Sequence, residues 1–99
     1  MAYRMGWTVT VKRSVEKAVT ELPLEIQDAL AMLIREINQY GPTRFNWANY
    51  SKLQPRHRNR HHCHLKKGHP TYVACWEVTD KSKKLVEVYY AGTHEKAPY

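Results

Sequence analysis

Arg60-His61-His62-Cys63-His64-Leu65-Lys66-Lys67 reads as a β-strand whose two faces differ in chemistry. Alternation puts Arg60, His62 and His64 on one face and His61, Cys63 and Leu65 on the other. The first face carries a guanidinium and two imidazoles, groups suited to a phosphate and a proton. The second carries Cys63 and Leu65, which can enter a core. Another histidine, His94, follows a second strand-like run near the C-terminus. The plainer reading is a basic surface strand with solvated histidines, and composition alone leaves both readings open.

Working outward, the neighbouring segments supply the rest of a small sheet. After Lys66-Lys67-Gly68-His69-Pro70, a turn, Tyr72 to Val78 alternates with Tyr72, Ala74, Trp76 and Val78 on one face. Thr79 to Ser82 is a polar turn. Leu85 to Ala91 is the last strand, with Val86, Val88 and Tyr90 expected inward and Gly92 interrupting it. At the N-terminal end, Trp7 to Lys12 alternates with Trp7, Val9 and Val11 inward. Ser14 is the expected N-cap of a first helix bearing Val15, Ala18, Val19 and Leu22. Pro23 suits the first turn of a second helix, in which Ile26, Leu30, Leu33, Ile34 and Ile37 form one apolar stripe. Gly41-Pro42 ends that helix. Residues 43–59 show no period. There Trp47 and Tyr50 interleave with cations, as in a loop pinned by its aromatics or one that stacks bases and holds phosphates.

The expected class is therefore α+β: an N-terminal strand, an antiparallel helical hairpin, then a three-stranded antiparallel meander. The helices should cover one face of a small antiparallel sheet and leave Arg60, His62 and His64 on the other. Ninety-nine residues are expected to form one domain, 1–99.

Charge narrows the partners. Sixteen Lys and Arg oppose nine Asp and Glu, for a net charge of +7. Arg44, Lys52, Arg56, Arg58, Arg60, Lys66 and Lys67 fall in a stretch with no Asp or Glu. Such a surface attracts polyanions, nucleic acid above all. An acidic protein would also fit, and a membrane fits least, since no strongly amphipathic basic helix is present. No apolar run is long enough to span a bilayer, and no signal-peptide pattern opens the chain. The cytoplasm is the expected compartment, with Cys63 and Cys75 as reduced, largely buried thiols.

Three chemistries compete for the histidines. A metal could use His62 and His64, but neither C-x-x-C nor H-x-x-x-H is present. No carboxylate stands nearby, and the neighbouring cations repel a divalent ion. No cofactor is expected. Cys63 as a nucleophile fails because its histidine neighbours in sequence point to the opposite face. Acid–base work on RNA fits best. The 2′-hydroxyl is a built-in nucleophile, and cleavage needs a base, an acid and cations around the phosphorane.

Lys52-Leu53, His62-Cys63-His64-Leu65, Tyr72-Val73-Ala74-Cys75-Trp76-Glu77-Val78 and Gly92-Thr93-His94, in this order of elements, resemble the RelE/ParE toxin superfamily. The Cys-His-Leu and Gly-Thr-His pieces look most like YafQ-type toxins. The resemblance implies a microbial-RNase-like fold and a type II toxin that cleaves mRNA on the ribosome. It also implies inhibition by a cognate antitoxin. It places catalytic histidines at His64 and His94 and matches His62 to a catalytic lysine of RelE. Tyr99 would stack on a base. Arg60, Lys66 and Lys67 must supply the charge that RelE draws from an arginine where Val73 stands here. Lys52, Arg56 and Arg58 would hold RNA with Lys66 and Lys67. Alternation alone puts His94 on the face of Val88 and Tyr90, a tension that a bulge or strand end at Gly92 would relieve. Two other functions compete: a ParE-like inhibitor of DNA gyrase, which needs no histidines on this strand, and a non-catalytic RNA- or ribosome-binding module.

Overall fold

A computed structural model describes residues 6–53 and 59–98. Strand β1 (Thr8–Val11) leads into helices α1 (Arg13–Val19) and α2 (Leu24–Tyr40). Then follow β2 (Ser51–Lys52), β3 (Arg60–Lys66), β4 (Tyr72–Asp80), β5 (Leu85–Thr93) and a short 3₁₀ turn, His94–Lys96. The five strands make one sheet in the order β1-β5-β4-β3-β2. The meander β3-β4-β5 is antiparallel, as the sequence implies. The sheet as a whole is mixed, because β1 runs parallel to β5 with Val9 opposite Val86. Alternation along a strand reports its faces and says nothing of its partner's direction, so the all-antiparallel expectation fails at this edge. Strand β2 also lies inside the stretch read as a loop, and two residues are too few for alternation to show.

Both helices pack on one face. Val15 of α1 and Leu30, Leu33 and Ile37 of α2 bury against Cys63, Ala74, Trp76, Val86, Val88 and Ala91. The apolar stripe read from the sequence is the buried side of α2, with Ile26 sealed and Ile34 half-buried. Ser14 lies inside α1 rather than capping it. Lys12 holds the cap position and makes no side-chain bond there. Pro23 caps α2, one position earlier than expected, and its fixed φ presents a carbonyl that accepts from Ile26 and Gln27. Gly41 ends α2 at φ 100°, where its N–H still reaches the Ile37 carbonyl. A Cβ there would also meet the Trp7 indole nitrogen at 3.1 Å, so both backbone and space require glycine.

The decisive irregularity is in β5. Trp76 pairs with Val88, but Cys75 pairs with Tyr90, so Tyr89 is an extra residue. This β-bulge reverses the alternation beyond it. Tyr90 lies opposite Cys75 on the open face, away from the helices, and Ala91 takes the core position. The expectation that Tyr90 faces the core is therefore corrected. Gly92 does not interrupt the strand either. It is buried within β5 opposite Val73. A Cβ on it would lie 2.8 Å from Tyr90 Oη, which fills the space above the glycine.

Candidate active site

The open face is built in cross-strand rows. Arg60, Glu77 and Glu87 form one, His62, Cys75 and Tyr90 the next, and His64, Val73 and Gly92 the third. Partners directly opposite share a face, so the rows follow from the register. His64 therefore shares its row with buried Val73 and with Gly92, over which the Tyr90 phenol lies. Beyond Gly92 the strand ends, and His94 opens the 3₁₀ turn. Its N–H donates to the Thr71 carbonyl at 2.8 Å. Tyr90 Oη donates to the Thr93 carbonyl at 2.7 Å, fixing the backbone just before it. The bulge at Tyr89 thus brings His94 round to His64, resolving the parity conflict three residues earlier than Gly92. The imidazole rings of His64 and His94 stand 5.6 Å apart and nearly edge to face.

These two rings border a cleft of about 300 Å³, closed on its far sides by His69, Thr71, Thr93 and Glu95. The Thr71 hydroxyl donates to the Gly68 carbonyl at 2.9 Å, which folds the β3–β4 turn into a wall. His62 stands beside His64, their centroids 6.4 Å apart, and Ser51 Oγ lies 3.2 Å from His62 Nδ1. His64 is held on its other side by its backbone N–H, which donates to the Ala48 carbonyl at 2.8 Å. Its Nδ1 is buried and has no hydrogen-bond partner among the described residues.

The electrostatics keep His64 neutral. Burial is the first cause lowering its pKa below the usual 6.5, followed by the charges of His94, His62 and Lys67. His62 is also lowered, by burial first, with the Ser51 hydrogen bond opposing and His94 adding. A neutral imidazole with a free lone pair can accept a proton near pH 7.

The remaining candidates are spread more widely. Arg60 shares the face of His62 and His64 but lies four residues from His64 along β3, about 13 Å at strand rise. It is paired to Glu77 at 3.4 Å, and its guanidinium lies 5.0 Å from the Tyr89 ring centroid. Lys66 Nζ is bound by Glu25 at 2.6 Å. Lys67 is exposed and its charge acts on His64. Lys52 pairs with His61, so it projects to the helix side of the sheet, away from the cleft. Arg56, Arg58 and Tyr99 lie outside the described residues.

His61 is a core residue, only 2% exposed. Its ring packs against Tyr50 (5.8 Å) and Trp76 (5.7 Å, 5° between planes), which also touch each other at 6.1 Å, and Tyr50 Oη lies 2.7 Å from its Nδ1. Burial first, then the Lys52 charge, pushes its pKa down to about 4. Cys63 and Cys75 are free, buried and on opposite faces of the sheet. Burial raises both thiols to about 12, which leaves them inert. Sequence reasoning missed His69 and Glu95, which line the cleft only because the turn and the strand end meet. It also missed Tyr90, whose role depends on a bulge that leaves no mark in composition.

No protein-family model matches this sequence, and no curated protein matches it. Its backbone does match solved toxins. A free mutant form of the Escherichia coli toxin RelE has 15% identity and a TM-score of 0.71, covering 94% of this chain and 88% of that one. RelE in the RelE–RelB complex of the archaeon Pyrococcus horikoshii has 18% identity and a TM-score of 0.64, over 94% of this chain and all of that one. The YoeB–YefM complex of Staphylococcus aureus gives 10% identity and a TM-score of 0.65, over 89% and 97%. The chain has the RelE-type toxin fold: two helices on one face of a mixed five-stranded sheet.

Proposed function

We propose that this chain is the toxin of a type II toxin–antitoxin pair and an endoribonuclease that cleaves mRNA on the ribosome. The observation that carries the reading is the His64–His94 pair, 5.6 Å apart at a cleft on the open face. The fold shared with RelE and YoeB supports it, as does the net charge of +7. The YafQ-like pattern of histidines is the part of the sequence resemblance that this pair supports most directly. His64, held neutral by burial, takes the proton of a 2′-hydroxyl. The 2′-oxygen attacks the adjacent phosphorus and the bond to the 5′-oxygen breaks. His94 gives a proton to that leaving oxygen. The products are a 2′,3′-cyclic phosphate and a 5′-hydroxyl end, and no cofactor takes part. His62 supports His64 from the next row. Lys67, whose charge reaches His64, serves the phosphorane more directly than Arg60 or Lys66, which face Glu77 and Glu25.

The partner follows from the same surface. An antitoxin segment bearing acidic and apolar side chains would neutralise the cations and fold as it binds. Cytoplasmic residence follows from both targets, and no helix among the described residues is long and apolar enough to cross a membrane. Mapping mRNA 5′ ends after induction tests the proposal. Cleavage at codon-related positions supports it. DNA breaks without such cleavage would point to a gyrase inhibitor. Stalled ribosomes with intact mRNA would point to a binding module.

A further inference from the structure

The loop between α2 and β2 is more rigid than its composition suggests. One carboxylate oxygen, Glu36 Oε1, accepts from Asn46 Nδ2 at 2.8 Å, Trp47 Nε1 at 2.9 Å and Arg44 Nη1 at 3.4 Å. The Asn46 bond is the first cause of the lowered Glu36 pKa, against burial and with Trp47 and Arg44 adding. The far end of the loop is fastened by the Tyr50 ring stacked on His61 and Trp76. Its middle is fastened by Ala48, whose carbonyl accepts from His64. Trp47 and Tyr50, the aromatics that suggested base stacking in the sequence, are therefore committed to holding the loop. The ring left in solvent is Phe45, 82% exposed and braced edge-on by Tyr50 at 5.4 Å.

We propose that Phe45 is a stacking platform for one base of a single-stranded RNA that rounds the β2 edge from the cleft. The segment that carries the ring, residues 41–53, holds Arg44 and Lys52 and no Asp or Glu. Arg44 precedes Phe45, paired with Glu36 at 3.4 Å and lying over the exposed Tyr40 ring at 5.4 Å, while Lys52 follows on β2 with no carboxylate opposite it in the strand pairing. Lys52 projects to the side of the sheet on which Tyr50 packs, the position that faces away from the cleft. A fixed aromatic beside cations is the arrangement that holds a base and its phosphate without reading sequence.

The surroundings disfavour a protein helix as occupant. Leu24 and Met32, the other large exposed apolar side chains among the described residues besides Tyr40, lie about 24 and 12 Å back from Tyr40 along the α2 axis at helix rise. The exposed apolar side chains of α2 are thus spread along the helix and not gathered around Phe45 into a surface of interface size. The cleft is close by. Ala48, bonded to the His64 backbone, is three residues from Phe45, at most about 11 Å of chain. The platform rests on the RNA-substrate reading but not on the chemistry of cleavage.

The test is equilibrium binding of a fully 2′-O-methylated 12-mer RNA, which cannot be cleaved by 2′-hydroxyl attack. Phe45→Ala and Phe45→Leu should each weaken binding at least fivefold, and Phe45→Trp should restore it with quenched indole fluorescence on binding. Phe45 is largely in solvent, so these variants should keep the wild-type far-UV circular dichroism. Wild-type affinity in Phe45→Ala, or equal affinity in Phe45→Leu and Phe45→Trp, would overturn the platform and leave the RNA reading standing. No binding by the wild-type protein would likewise overturn the platform, while the RNA reading would still be decided by cleavage on programmed ribosomes.

Discussion

Acidification should weaken this fold through one residue, His61. Its ring is buried in a three-ring cluster with Tyr50 and Trp76, and its pKa in the folded chain is about 4 against 6.5 when free. Above pH 6.5 neither folded nor unfolded chain protonates it, and it contributes no pH dependence. Below 6.5 the unfolded chain binds a proton that the folded chain refuses, so stability falls as pH falls. At pH 5 the loss is about 2 kcal/mol, and it approaches about 3 kcal/mol below pH 4. The residue is 2% exposed, so solvent screening removes little of this. His62 and His64, also lowered, push the same way and set a background slope. His61→Gln keeps a polar group near Tyr50 and removes the titration. Urea unfolding followed by far-UV circular dichroism at pH 7.5 and pH 5.0 gives both slopes. The wild-type protein should lose about 2 kcal/mol more than His61→Gln between those two pH values. Parallel losses would show that His61 accepts a proton in the folded chain and that its burial is not what fixes its charge.

Replacing Leu33 or Ile37, both fully buried between α2 and the sheet, by Ala should cost about 2–5 kcal/mol in urea unfolding. Glu36→Ala should release the loop, seen as faster amide exchange at Trp47 and Tyr50 with the β4 amides unchanged. Gly92→Ala should force Tyr90 Oη off the Thr93 carbonyl, so cleavage should fall more than stability; a loss of stability alone would mean that Tyr90 does not place His94. In kcat/KM against pH, the acid limb should lie below 6.5, because burial and nearby charge lower His64. Lys67→Gln should move that limb to higher pH by removing a positive neighbour, and an unmoved limb would separate Lys67 from the site.

The architecture was legible because its signals are local. The stripe Ile26–Ile37 has helical period, β3 alternates basic against apolar, and Gly41-Pro42 stops α2. What failed depends on pairing. The direction of β1 and the existence of β2 are properties of neighbouring strands. The face of Tyr90 depends on one inserted residue, Tyr89, whose neighbours in sequence give no sign of it. The pairing of His64 with His94 came from the resemblance, and only the bulge gives it a physical cause. Arg60 shows the limit of reading a face from alternation. It is on the expected side, yet its distance along the strand and its Glu77 partner keep it out of the cleft. Likewise the aromatic spacing of Trp47 and Tyr50 could not show that Glu36 and His61 already occupy them, or that Phe45 is the ring left over.

The central claim is that two imidazoles, His64 and His94, move the protons of RNA cleavage, and single-turnover cleavage of mRNA on programmed ribosomes tests it most directly. His64→Ala and His94→Ala should each lower the rate by roughly 10²–10⁴-fold, the usual worth of one acid–base group. Ribosome binding should change far less, since several cations share it. The double variant should lose less than the product of the two single losses. Rates within about threefold of wild type for both single variants would contradict the claim, and positioning of the phosphate by Lys67 and its neighbours would then have to carry the reaction.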